Sequence, residues 1–210
     1  MIKIVKNSNI ILLSISIDII NKSAQFFALD SFKTTINNQL TTVYNNIIGK
    51  YKLELNLHLR ILNHKNQCSP KNILFQIVDT IPNNNVAIAD LKGMRVKLNK
   101  LYITDFITNK NCRTLPHELG HLLGLNHPHA NAKFESINLD GHILEQQLTE
   151  TDRQCNLMSQ SWYAQKANVP LVNSMHLTEK QIELILLNYN TNSLNKNYHL
   201  KYFLWWKKIL

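Results

Sequence analysis

Of the chain's 210 residues, 44% are hydrophobic and 18% charged; this supplies a sizeable core, excludes a disordered chain, and fits one domain or one domain built as two lobes around a cleft. The net charge of +9 is carried by dispersed lysines. With no Arg-rich stripe and no interleaved aromatic platform beside it, nucleic acid is not expected as the main partner, and the charge instead favours acidic or anionic surfaces.

Lys3 and Lys6 precede an apolar run at 10–20, the order of a signal peptide's first two regions. Ser14, Ser16 and Asp18 interrupt the run, no A-x-A site follows, and Ile15, Ile17 and Ile19 alternate, so a half-buried strand is expected. No stretch is long and apolar enough for a transmembrane helix. From Asp30, the spacing of Phe32, Ile36, Leu40, Val43, Ile47 and Ile48 predicts a helix capped by Asp30 or Ser31 and ended by Gly49. Leu53, Leu55, Leu57, Leu59 and Ile61 alternate with polar residues as a strand with one face in the core. Further strands are expected at 73–78, 86–91 and 96–103, with Gly93 as a bend or bulge, followed by a helix, a mostly irregular stretch at 127–158, and a last helix. Thr178 and Gln181 form a capping box there, Leu177 and Ile182 a hydrophobic staple, and Ile182, Ile185 and Leu186 an apolar face. This order predicts an α/β upper lobe with a mixed sheet and a small lower lobe. At the C-terminus Tyr202, Phe203, Trp205, Trp206, Lys207 and Lys208 suit either contact with a membrane surface or packing of the tryptophans on the domain.

The segment HELGHLLGLNH, residues 117–127, carries the chemistry. Residues four apart on a helix project from one face, so His117 and His121 can offer two imidazole nitrogens to one Zn²⁺. Glu118 sits beside them, able to reach a metal-bound water but turned too far round to be a ligand. Gly124 can adopt the left-handed conformation that ends the helix, and His127 then returns as third ligand. Three neutral ligands leave one position open for water, as in catalytic sites. His129 could replace His127 only with a longer turn; His142 and His176 are expected to be ordinary surface or core histidines.

These residues resemble, in full, the extended zinc motif HExxHxxGxxH of the metzincin metallopeptidases. Cys155-Asn156-Leu157-Met158-Ser159 resembles that superfamily's Met-turn, with Met158 lying 31 positions after His127. The resemblance implies a metzincin-like α+β catalytic domain covering the whole chain: 1–127 as upper lobe with a twisted mixed sheet and two helices, the second of them the zinc helix, and 128–210 as a small irregular lower lobe with the Met-turn and a closing C-terminal helix. It implies one catalytic Zn²⁺, Met158 as an apolar floor beneath it, and Glu118 as the base for a zinc-bound water. The implied activity is hydrolysis of peptide bonds in a protein or peptide substrate, which would lie extended along a rim at 86–91. A monomer is expected, secreted or exported, with an effector or toxin attacking a competitor or host as one such role, and with no inhibitory pro-domain ahead of the first strand.

This chain departs from the family's pattern in three places. Pro116 directly precedes His117, so the helix either starts near Thr114 or kinks. No tyrosine lies two residues after Met158, and Tyr163 is too far along to serve as a ligand. Pro128 matches no well-known subfamily signature, which leaves the subfamily open. The three cysteines exclude a disulfide scaffold. Cys112 and Cys155 could be bonded to tie the two lobes together, and Cys68 is either a zinc-blocking thiol or an idle loop thiol. The alternative from another class is a non-catalytic zinc-containing module acting on a membrane or protein partner. A structural site normally closes with a fourth side chain, and Glu118 would then have no task.

Overall fold

The structure is a computed structural model and describes residues 1–90, 94–125, 127, 133–137, 143–147, 150–159, 161–166, 168–192 and 194. It is a mixed α+β fold around a seven-stranded mixed sheet. A hairpin of β1 (Ile2–Asn7) and β2 (Ile10–Asn21) leads into α1 (Leu29–Tyr44), β3 (Ile47–Ile48), β4 (Tyr51–Leu62), β5 (Ile73–Val78), β6 (Ala87–Asp90) and β7 (Arg95–Asn99). The sheet order is β3-β4-β2-β5-β7-β6. β2, β4, β5 and β7 run parallel, β3 and β6 are antiparallel margins, and β1 pairs with the first half of β2.

The period-two pattern of β2 explains its central place. Ile11, Leu13, Ile15, Ile17 and Ile19 are buried on one face against α1, whose Phe32, Ile36, Leu40 and Val43 form the facing stripe. Asp18, on the opposite face, is fully buried because four donors meet it: Arg60 Nε (2.8 Å) and Nη2 (2.9 Å), Ser69 N (3.0 Å) and Asn72 Nδ2 (3.0 Å). The polar interruptions of the N-terminal apolar run thus belong to a strand.

Several boundaries differ from expectation. Helix α1 begins after Ala28, with Asp30 in its first turn and no side-chain cap, and it stops at Tyr44. Ile47 and Ile48 leave the helix and pair with Lys52 and Tyr51 instead, Gly49 (φ 57°) serving the hairpin rather than a helix end. Two adjacent β-branched residues gain more from a ladder than from a helix whose apolar stripe has already turned past them. β7 ends at Asn99, whose side chain accepts from Leu101 N (3.1 Å) and turns the chain into a 3₁₀ turn and then α2 (Ile103–Ile107). The stretch at 127–158 is not mostly irregular. It holds a hairpin of β8 (Lys133–Ile137) and β9 (Ile143–Gln147) and the short helix α4 (Glu150–Cys155); neither strand alternates cleanly, so periodicity gave no signal. α5 (Ser161–Lys166) follows, and α6 (Glu179–Asn190) closes the fold, with the Thr178–Gln181 capping box formed and Leu177 and Ile182 buried. No helix among the described residues is long and apolar enough to cross a membrane. Gly93, Pro128, His129, His142 and the aromatic and basic segment at 202–208 lie outside the described residues.

Candidate metal centre

The motif helix α3 spans Thr114–Leu122. Pro116 therefore falls in its first turn, where the missing N–H costs no ladder bond, and the helix need not kink. The Pro116 carbonyl accepts from the buried Tyr44 hydroxyl (2.9 Å), which fixes α3 to α1. Leu115, Leu119 and Leu122 bury one side of the helix. His117, buried, and His121, half-buried, occupy the other, and His127, beyond the end of the helix, is the most exposed of the three.

Two glycines make the approach possible. At Gly120 an added Cβ would lie 2.4 Å from Met158 Sδ, so only a bare Cα lets Met158 pack against the helix. Gly124 has φ 89°, and its N–H donates to His121 O (3.0 Å), while Leu125 N donates to Gly120 O (3.0 Å). That closing turn sends the chain back so that His127 Nε2 lies 3.0 Å from His117 Nε2 and 3.2 Å from His121 Nε2, the latter pair being 3.2 Å apart.

The hydrogen bonds fix which nitrogens carry protons. His117 Nδ1 faces Leu157 O at 2.8 Å and His121 Nδ1 faces Leu125 O at 2.8 Å. A carbonyl only accepts, so each Nδ1 is the donor and each Nε2 of these neutral rings is a bare lone pair. Two lone pairs 3.2 Å apart repel unless a cation lies between them. Tetrahedral Zn–N bonds of about 2.0–2.1 Å would set ligand nitrogens about 3.3 Å apart, close to the spacing found. The donor set and its geometry therefore fit a divalent metal, and these three histidines are the one such group among the described residues. Burial, reinforced by their mutual proximity, holds His117 well below the usual imidazole range and pushes His127 down to about 4. His121 is lowered by burial too. All three are thus neutral at pH 7, the form that binds metal.

Glu118 is buried, and its burial pushes the carboxyl up to about 7, against the N–H of Ala89 that it accepts. Ala89 lies on β6, at the margin of the sheet. Asn99 N donates to Val86 O (3.0 Å), and alternation along an antiparallel pair then turns the Ala89 N–H away from β7. Glu118 thus occupies a backbone donor on the outer edge of β6.

No protein-family model matches the chain, and no curated protein matches it. The site is therefore read from its own chemistry.

The candidate Met-turn is ordered around buried groups. Met158 is fully buried, and its N–H donates to Asn156 Oδ1 (2.9 Å). Asn156 and Gln181 exchange amide bonds at 3.0 and 3.1 Å, and Leu157 N donates to His176 O (2.7 Å). Asn188 Nδ2 donates to Gly124 O (3.2 Å), joining α6 to the turn before His127. Arg113, one turn ahead of His117, is buried against the carbonyls of the Met-turn. Sequence reasoning missed Tyr44, Arg113 and Asn188, saw Asn156 only as part of the candidate Met-turn, and saw Gln181 only as a cap. The nearest signal was the capping box, whose Gln181 side chain also reaches the Met-turn. His176 serves that turn through its backbone. Cys68 packs beside Ile20, Leu62 and Leu74, outside the histidine group. Cys112 and Cys155 are free thiols, so the disulfide that would have tied the lobes is absent. The bonds of Arg113 and Gln181 to the Met-turn hold those segments together instead.

Proposed function

We propose that the chain is a zinc-dependent endopeptidase of the metzincin type, folded as a single catalytic domain with 1–127 above and 128–210 below the cleft. The observation that carries this reading is the pair of proton-free Nε2 atoms of His117 and His121, completed by His127, with the buried carboxyl of Glu118 on the same helix. His117, His121 and His127 would hold one Zn²⁺. When bound, that ion would polarise the scissile carbonyl and lower the pKa of water from about 16 to about 7.

Glu118 takes the proton of the attacking water and returns it to the leaving amine. A group poised near 7 can do both, and burial puts Glu118 there. Its bond to Ala89 N–H orients the carboxylate and fixes its distance from the β6 edge. That edge lies at the sheet margin, where an extended peptide can add as another strand; the stretch at 86–91 is the proposed rim. Met158 fills the space beneath the histidines against Gly120, keeping the floor apolar.

A peptide-library cleavage profile of zinc-loaded protein, run beside Glu118→Gln, tests the proposal. The native chain should cut extended peptides, and the variant should retain zinc while cutting about 10²–10⁴-fold more slowly. Equal hydrolysis by both would refute the role of Glu118. Zinc binding with no cleavage by the native chain would favour the non-catalytic zinc module.

A further inference from the structure

Arg113 takes no part in the proposed chemistry, yet it is only 5% exposed. Its charge is met by carbonyls: Nε donates to Ser174 O (2.8 Å), and Nη2 donates to Asn156 O (3.1 Å), Leu157 O (2.6 Å) and Ser159 O. One of these acceptors is shared, since Leu157 O also takes the Nδ1–H of His117. Arg113 and His117 stand one helical turn apart and are joined in the backbone by His117 N to Arg113 O (3.1 Å). Two side chains of one helix thus converge on a single carbonyl across the Met-turn.

We infer that Arg113 is a positioning residue of the metal centre: its guanidinium pins the Leu157 carbonyl against His117 Nδ1, so that His117 keeps the tautomer and ring orientation that present a bare Nε2 to the ion. The inference rests on the reading of the three histidines as a metal site. Groups that hold a ligand's other nitrogen commonly control metal affinity, and here the holder is itself held. A planar fork of five donors can serve several carbonyls at once, which a lysine's compact ammonium cannot. The charge alone acts in the opposite direction, because a buried cation near the site repels Zn²⁺. Positioning and charge can therefore be separated.

Zn²⁺ affinity is measured by competition with a chromogenic chelator for the native chain, Arg113→Lys, Arg113→Met and Asp18→Asn. Asp18 lies on β2 and is bonded to Arg60, Ser69 and Asn72, so that variant controls for general destabilisation. Both Arg113 variants should bind Zn²⁺ about 10–100-fold more weakly, and Asp18→Asn should bind as the native chain does. A role through charge alone would leave Arg113→Lys unchanged and tighten Arg113→Met, which overturns the inference. If Arg113→Met does not fold, Arg113→Lys decides. The metal-free chain gives an independent readout by imidazole ¹⁵N NMR. His117 should be the Nδ1–H tautomer with a slowly exchanging proton, and Arg113→Lys should mix the tautomers and speed exchange. A native His117 in the Nε2–H tautomer, or one unmoved in Arg113→Lys, overturns the inference. A native chain that binds no Zn²⁺, with His117 still released in Arg113→Lys, defeats the metal reading and leaves the positioning role standing.

Discussion

Glu118→Gln should stabilise the metal-free protein while disabling it, and the stabilisation should depend on pH. Burial raises the carboxyl from 4.5 to about 7 in the folded chain. At about 1.4 kcal/mol for each tenfold change in proton affinity, keeping this group ionised inside the fold costs at most about 3.5 kcal/mol above pH 7. The sign follows from proton linkage. With a folded pKa above the unfolded one, the folded state binds more protons between those values, so the contribution is full below pH 4.5 and is lost as pH rises through about 7. Glutamine has nearly the same shape, can still accept from Ala89 N–H, and carries no charge to desolvate. Urea unfolding in excess chelator, at pH 5 and pH 8, makes the comparison. The variant should match the native chain to within about 1 kcal/mol at pH 5 and exceed it by about 2–3 kcal/mol at pH 8. Histidine titration cancels in the difference because both chains carry the same rings. A gap of equal size at both pH values, or a variant less stable at pH 8, would show that Glu118 is not a desolvated carboxylate and would remove the physical basis for its role as base.

Across the metal-free native chain, the histidines pull the other way. Their lowered folded pKa values give stability that is full above about 6.5 and is lost as pH falls towards 4. Three rings against one carboxyl should make stability rise with pH between about 4 and 6.5, and a flat calorimetric profile there would contradict the burial of the site. Replacing His127 with Ala should weaken Zn²⁺ binding by more than the about 10–100-fold typical of groups that only support a ligand, while His129→Ala should leave it nearly unchanged; the reverse order in a chelator competition would reassign the third ligand. Gly124→Ala should cost at least about 1 kcal/mol in urea unfolding. Its φ is 89° and the new Cβ would meet Asn188 Nδ2 at 2.4 Å, so an unaffected midpoint would refute the turn geometry that delivers His127.

What could be read in advance follows the range of the interactions. Regular periods set by a single buried face were legible: the alternation of β2, the stripe of α1 as far as Val43, and the capping box of α6. The histidine spacing was legible for the same reason, since helical geometry places residues 117 and 121 together and a glycine at 124 permits the return. Where two local preferences competed, sequence misled. Ile47 and Ile48 continue the helical spacing of α1, yet the adjoining strand β4 pairs with them across the turn at Gly49. The groups that fasten the site were hidden because each bond joins residues far apart in the chain. Arg113 reaches carbonyls 43–61 positions away, and Asn188 reaches back 64 to Gly124. A lone arginine or asparagine has no period to betray it.

That long-range fastening also bears on whether the metal would be structural or catalytic. A structural ion replaces missing core by drawing loose segments together. Here groups other than the histidines also join the same segments. Arg113 fixes the Met-turn and Ser174, Asn156 and Gln181 join the Met-turn to α6, and Asn188 joins α6 to the turn before His127. Each of these contacts uses a group that is not a ligand. The histidines add nothing to the bracing except through the two Nδ1–H bonds that orient them, and they leave their lone pairs converging on one point. Bracing by groups other than the histidines supports the proposed catalytic reading over the structural one. Such a site, with a buried carboxyl on the same helix and a margin strand beside it, suits the proposed chemistry on a bound chain.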